Sequence, residues 1–173
     1  MKKIVVTVAT ATLLATAASA GGFFGSDTET FVYLSGGAGE TLGTDGVTGK
    51  VGLGIESEMF DTKVIAGYKV AIGYTSLSED VLGEGESGVM GGDIDLVLGY
   101  KFGKISTYGI AGYTFQTIND FGADGFTYGA GVSYHPFESF GVAIEHKTGE
   151  LESIDAPISF DYSNTELQLR FLF

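Results

Sequence analysis

Few side chains in this sequence are equipped for catalysis. There is no cysteine, which removes thiolate chemistry and any disulfide scaffold, and there are only two histidines. His135 precedes Pro136, and His146 lies between Glu145 and Lys147. A serine nucleophile needs its base within hydrogen-bond reach, and the spacing around neither histidine argues for such a pair. Asp120 and Asp124 place two hard ligands close together, but their spacing is not that of a calcium loop. Asp, Asn and Gly are also the ordinary residues of a solvated turn. The glycine-rich stretch at 88–92 leads into no helical pattern that could present amides to a phosphate. Nucleic acid is excluded as a partner by a formal net charge of −13, because its phosphates call for Lys and Arg. The expectation is a protein with no catalytic residue, no metal site and no cofactor.

What stands out instead is charge at alternate positions. Lys50, Lys69, Lys101, Lys147 and Arg170, with Glu56, Asp93, Asp95, Glu145 and Glu166, lie on one parity of segments whose other parity is apolar. These five bases and five acids share their face with Gly52, Gly54, Gly67, Gly73, Gly99, Gly129, Gly131 and Gly141. Glycine weakens a strand, so a solvated face has little reason to favour it. A narrow interior does, since each long side chain there needs an empty neighbour. Buried charges must be paired, and the balance of signs fits that rule. These ten residues are the expected interior ion network.

The elements that position them have a period of two, the signature of β-strands. It is clear in the segments 47–55, 64–75, 93–102, 126–135, 140–147 and 166–173. Two further segments, 31–38 and 105–115, are strand-like but carry apolar residues on both parities, so their faces stay unassigned. That makes eight strands, most near the ~9–11 residues that cross a bilayer at a tilt. Long polar connections are expected at 39–46, 77–90, 118–125 and 149–162, alternating with short ones at 57–63, 103–104 and 136–139. This alternation is the order of an up-and-down transmembrane barrel. Period alone does not separate a membrane barrel from a soluble one. The aromatic residues of the apolar face, among them Tyr74, Tyr100, Phe102, Phe126, Tyr134 and Phe171, fit either a headgroup girdle or an ordinary core.

The first 20 residues read as a cleaved signal peptide: Lys2 and Lys3, a short apolar run, then Ala18-Ser19-Ala20. A barrel domain over 21–173 follows. The chain stops inside a strand, with Leu167, Leu169, Phe171 and Phe173 on one face. Composition agrees with an all-β domain, with 28 Gly, 9 Tyr, 13 Phe and only 2 Pro.

Two motifs carry a family resemblance. The ending at Phe173 resembles the C-terminal signal by which outer-membrane proteins are recognised for insertion. The segment from Gly129 through Gly131, Tyr134 and Phe137 to Gly141 and Glu145 resembles the strand-turn-strand of the small OmpA-like and OmpX-like porin-family barrels. The resemblance extends loosely over 21–173. It implies an eight-stranded antiparallel barrel in the bacterial outer membrane, with Lys69, Lys101, Glu145 and Arg170 in an interior ion network. Its implied partners are lipid, lipopolysaccharide and the barrel-assembly machinery, with any extracellular ligand unspecified. The implied role is structural, membrane-stabilising or surface-interacting. A narrow, low-conductance channel is the alternative. A lipid A-modifying barrel enzyme ranks lower, because neither histidine shows the His-x-Ser spacing of deacylase-like barrels. The peptidoglycan-binding domain of full-length OmpA-type proteins is not represented in the sequence.

The remaining acids fall largely in the predicted long connections: Glu40 and Asp45; Glu79, Asp80, Glu84 and Glu86; Asp120 and Asp124; Glu150, Glu152, Asp155 and Asp161. No Lys or Arg accompanies them. They read either as a solubility device or as a surface for divalent cations or basic partners. From the C-terminal pattern, deleting Phe171, Leu172 and Phe173 is expected to block outer-membrane insertion while leaving export intact. The truncated protein should be missing from the heat-modifiable, membrane-embedded fraction on gels.

Overall fold

The computed structural model describes residues 28–59, 62–78, 88–118, 121–154 and 157–173. The predicted signal peptide at 1–20 lies outside them. Eight strands are present: β1 (Thr28–Thr41), β2 (Thr44–Glu58), β3 (Val64–Leu77), β4 (Gly88–Phe102), β5 (Ile105–Ile118), β6 (Phe121–Phe137), β7 (Phe140–Ser153) and β8 (Ser159–Leu172). Each pairs antiparallel with the next, and β1 closes on β8 through pairs such as Phe31–Leu172 and Glu40–Ser163. The result is a closed barrel in which each strand is hydrogen-bonded to a neighbour on either side, as a wall in lipid requires. The beginning of β1 and the end of β8 share one rim, here the near end, with the connections 59–63, 103–104 and 138–139. The other four connections lie at the far end.

Side chains alternate between lumen and exterior along the strands, and on six strands the faces follow the parity read from the sequence, except that Ile55 and Ser57, on the outward parity near the end of β2, are buried. The two unassigned strands now have faces. β1 turns Phe31, Tyr33 and Ser35 inward, and β5 turns in Ser106, Tyr108, Ile110 and Thr114. Both looked ambiguous because the lumen itself takes rings and aliphatic groups at these positions. Apolar residues therefore occupy both faces.

The expected alternation of connection lengths is corrected. At the far end only 78–87 is long; the others cover 42–43, 119–120 and 154–158. Leu42 (φ 51°) and Gly43 (φ 76°) both adopt left-handed backbone, closing a two-residue hairpin after the Thr41–Thr44 pair. Two positive φ angles in succession are what a type I′ turn requires, and its twist matches that of the strands. Ile118 likewise pairs with Phe121. Glu40, Asp45, Asp124, Glu150, Glu152 and Asp161 consequently sit on strands of 14–17 residues. Their polarity marks where the wall leaves the membrane, while the hydrogen-bonded ladder continues beyond it. Glu79, Asp80, Glu84, Glu86, Asp120 and Asp155 fall outside the described residues. At the near end β6 continues through Pro136 to Phe137, with a register irregularity between Tyr134 and Phe137. A bulge is a position that tolerates proline's missing N–H.

The lumen is filled in layers. At the far end Leu42, Leu77, Val89, Ala123, Leu151 and Tyr162 form an apolar plug, with Phe160 against it. Charged side chains occupy the middle. Phe31, Tyr33 and Ala71 form one apolar cluster among them, and Ile65, Val97, Tyr108 and Ile110 form another. Two glycines test this packing. A Cβ at Gly54 would meet the Phe31 ring, whereas one at Gly49, on the outer wall, would meet nothing within 4 Å. Overpacking of this kind costs ~1–3 kcal/mol. Gly54→Ala is therefore expected to lower the urea midpoint of the refolded barrel in lipid vesicles, and Gly49→Ala to leave it unchanged.

Candidate functional site

The ionic side chains of the lumen form one continuous ladder of alternating sign. Glu166 on β8 pairs with Lys50 on β2. The Lys50 ammonium also reaches Asp93 on β4 at 2.7 Å. Lys147 on β7 bridges Asp93 (2.9 Å) and Asp95 (3.2 Å). Asp95 lies 3.8 Å from Lys69 on β3, and Lys69 binds Glu145 on β7 at 2.5 Å. Glu145 accepts from Arg170 Nη2 at 3.0 Å, and Arg170 Nη1 ends the ladder on Glu56 at 2.8 Å. Each base sits between two acids, so no cation in the ladder depends on a single partner.

Neutral groups add further hydrogen bonds to the ladder. Ser35 and the Asn164 amide donate to Glu166 at 2.9 and 2.7 Å. Thr114 donates to Asp93 at 2.7 Å. The Tyr108 hydroxyl donates to Glu145 at 2.8 Å and accepts from Arg170 at 2.7 Å. Arg170 is completely buried, its guanidinium carbon 4.6 Å from the centre of the Phe31 ring. An ammonium or guanidinium over a ring face gains electrostatic attraction that grows when water is excluded. This explains why rings share the lumen with charges.

Nine of the ten expected network residues lie in this ladder. Lys101 stands apart, near the rim on the near end, where Glu29 (3.0 Å) and Glu58 (2.9 Å) hold it with a quarter of its side chain exposed. Glu29 and Glu58 were missed by sequence reasoning. Glu58 continues the parity of Glu56, and Glu29 follows once Phe31 and Tyr33 are turned inward. Tyr108, Thr114 and Asn164 were also missed, since a hydroxyl or amide in a strand carries no pattern of its own.

Two cavities described beside the charged groups are small. A cavity of about 10 Å³ adjoins Lys50, Asp93 and Thr114, and another of about 10 Å³ adjoins Lys101 and Glu58. Each has the space of about one water-sized sphere. The two histidines lie on opposite faces of the wall. His135 points inward beside Gly141, and His146 points outward with Nδ1 2.9 Å from Thr165 Oγ1. Asp124 is on the outer wall. Among the described residues no group of three or more His, Asp or Glu side chains is arranged to hold a metal ion.

The exterior is apolar over its near and middle part. Leu96, Leu98, Ile144, Leu167, Leu169 and Phe171 are all exposed on the outer wall. Aromatic residues gather toward both ends of the apolar surface. Tyr100–Phe102 and Phe140–Phe171 pair toward the near end with centroids 4.7 and 5.8 Å apart, and Tyr113–Phe126 pair toward the far end at 5.3 Å. Leu167, Leu169 and Phe171 face outward along the closing strand, and the Phe173 amide donates to the Thr30 carbonyl at 3.0 Å. Charges inside and apolar groups outside invert the order of a water-soluble barrel, with aromatic girdles at the membrane boundaries.

The chain is thus a small eight-stranded β-barrel with the outer-membrane fold. No family model matches the sequence, and no curated protein is similar to it in sequence. Solved structures share the fold. Ail, the attachment invasion locus protein of Yersinia pestis, superposes with a TM-score of 0.58 at 13% identity, over 84% of this chain and 97% of that one. Ail in complex with the heparin analogue sucrose octasulfate gives a TM-score of 0.53 over the same shares, also at 13% identity. A de novo designed transmembrane β-barrel gives 0.51 at 15% identity, over 87% of this chain and all of the design.

Removing one partner from a buried ion pair costs ~3–5 kcal/mol, because the other charge is left uncompensated. Glu145→Ala takes a partner from both Lys69 and Arg170 and is expected to fall in that range by urea titration. Glu138→Ala, in the exposed turn at 138–139, should not shift the midpoint measurably.

Proposed function

We propose that this protein is a non-conducting, non-catalytic barrel of the bacterial outer membrane, serving as a structural and surface-interaction element. The observation that carries the reading is the filled lumen. An eight-stranded barrel encloses just enough space for side chains, and here the ladder and the apolar plug occupy it. The longest connection, 78–87, is at the far end, which supports placing that end outside the cell, since the longer loops of such barrels are extracellular. Lipid and lipopolysaccharide are then the lateral partners of the wall. The exposed side of β8, with Leu167, Leu169, Phe171 and Phe173, is the surface we assign to recognition by the barrel-assembly machinery.

Ail, as an attachment protein seen with a polysulfated ligand, supports an interaction role for a barrel of this shape. The chemistry of the ligand must differ. Apart from Lys2 and Lys3, the bases of this chain are in the lumen or at the near end, so the far end offers no cation to a sulfate. The lipid A-modifying alternative draws no support from histidines on opposite faces of the wall.

Planar-bilayer recording on the refolded protein tests the channel question directly. The expected trace is flat, without discrete conductance steps at applied potentials that leave the bilayer intact. Reproducible unitary steps would replace this reading with that of a narrow pore.

A further inference from the structure

The far half of the outer wall carries a groove whose chemistry the proposed function leaves unused. It lies over β5 to β8, encloses about 630 Å³, and adjoins a second hollow of about 240 Å³ that shares Glu150 and Glu152 with it. Its lining combines four carboxylates, Asp124, Glu150, Glu152 and Asp161, with three rings, Tyr113, Phe126 and Tyr128. The Tyr113 ring stands nearly perpendicular to Phe126 at 81°. Beneath the groove β6 and β7 pair in one register through Asp124–Glu152 and Thr127–Gly149.

Two features separate this groove from an ordinary lipid-facing surface. The outward apolar residues of β7 and β8 end at Ile144 and Leu167, and His146, Thr148 and Glu150, with Thr165, Ser163 and Asp161, continue the wall. On β4, by contrast, apolar side chains run from Phe102 to Met90. The groove therefore opens to water on the flank where the apolar collar is short. Second, among the described residues no ion pair neutralises its carboxylates, and positions 79–87, 119–120 and 155–156 of the sequence carry no Lys or Arg.

We infer that this groove docks an arginine- or lysine-bearing peptide segment of a partner protein. The volume is that of a site for an extended ligand, far larger than a bare ion needs. Carboxylates supply the complementary charge. The rings supply a face for a guanidinium and an apolar bed for the methylene stems of long basic side chains. The inference rests on the far end facing outward, but not on the state of the lumen. A failure here would leave the bilayer recordings and their interpretation intact.

The test is fluorescence anisotropy of a labelled peptide of alternating arginine and alanine, about twelve residues long, titrated with refolded barrel in zwitterionic micelles. Saturable binding is expected, and the same peptide with glutamine in place of arginine should not bind. The variant Asp124→Asn/Glu150→Gln/Glu152→Gln should weaken binding about tenfold or more. Glu40→Gln/Asp45→Asn, which removes far-end acids outside the groove, should weaken it less than about twofold. Phe126→Ala should weaken it about threefold. Each variant is first checked for heat modifiability. Equal losses from the two charge variants would reduce the effect to bulk attraction and overturn the assignment, as would binding of the glutamine peptide by the unaltered barrel. Calcium uptake abolished in the triple variant, without peptide binding to the unaltered barrel, would make the groove an ion site and overturn it as well.

Discussion

Most of this architecture depends on the rule that a charge taken out of water needs an opposite charge beside it. Nine ionic side chains drawn from five strands meet that rule by alternating in sign across the lumen. The wall is built around their dimensions. Gly52 and Gly54 leave space into which Tyr33 and Phe31 project, and Gly131 leaves space beside Tyr108 and Glu145. The rings in turn pack against Arg170 and Lys69. With the charged groups of the ladder paired within, the outer wall is free to be hydrocarbon-facing. The barrel is stabilised by pairing inside and by lipid outside, without a disulfide and without a conventional apolar core.

Much of this was legible in the chain because strand geometry turns sequence parity into position. Lys50, Lys69, Asp93, Asp95, Glu145, Lys147 and Arg170 could be set on one face by counting in twos. Their pairing across the lumen could not be read in this way. Lys50 and Glu166 are 116 positions apart in sequence and meet because of the way the barrel closes. β1 and β5 resisted assignment for a different reason. Phe31, Tyr33, Tyr108 and Ile110 are apolar residues that belong inside, against a cation or one another, so hydrophobicity there does not indicate the lipid side.

The connections show how polarity misleads at a membrane boundary. Glu40 and Asp45 flank a two-residue hairpin, yet in sequence they resemble the start and end of a loop. An outer-wall residue becomes polar as soon as the strand emerges into water, whatever its backbone is doing. Strand length beyond the bilayer is consequently set by hydrogen bonding and turn chemistry. Leu42 and Gly43 terminate the first hairpin by their left-handed backbone, and Leu42 turns its side chain back to become part of the far-end plug.

The unequal apolar collar has a mechanical consequence. On β4 it runs for about 40 Å along the strand, and on β7, from Phe140 to Ile144, for about 13 Å, at ~3.3 Å per residue. A cylinder with such a collar is not at rest upright in a flat bilayer of uniform thickness, because mismatch is relieved by tilting or by thinning the lipid nearby. The barrel thus has a preferred lean and a preferred lateral neighbour. Lipids beside β7 and β8 are the more strained, and molecules that fit a thinner membrane will collect there. A nearly round barrel thereby acquires a front and a back in the plane of the membrane.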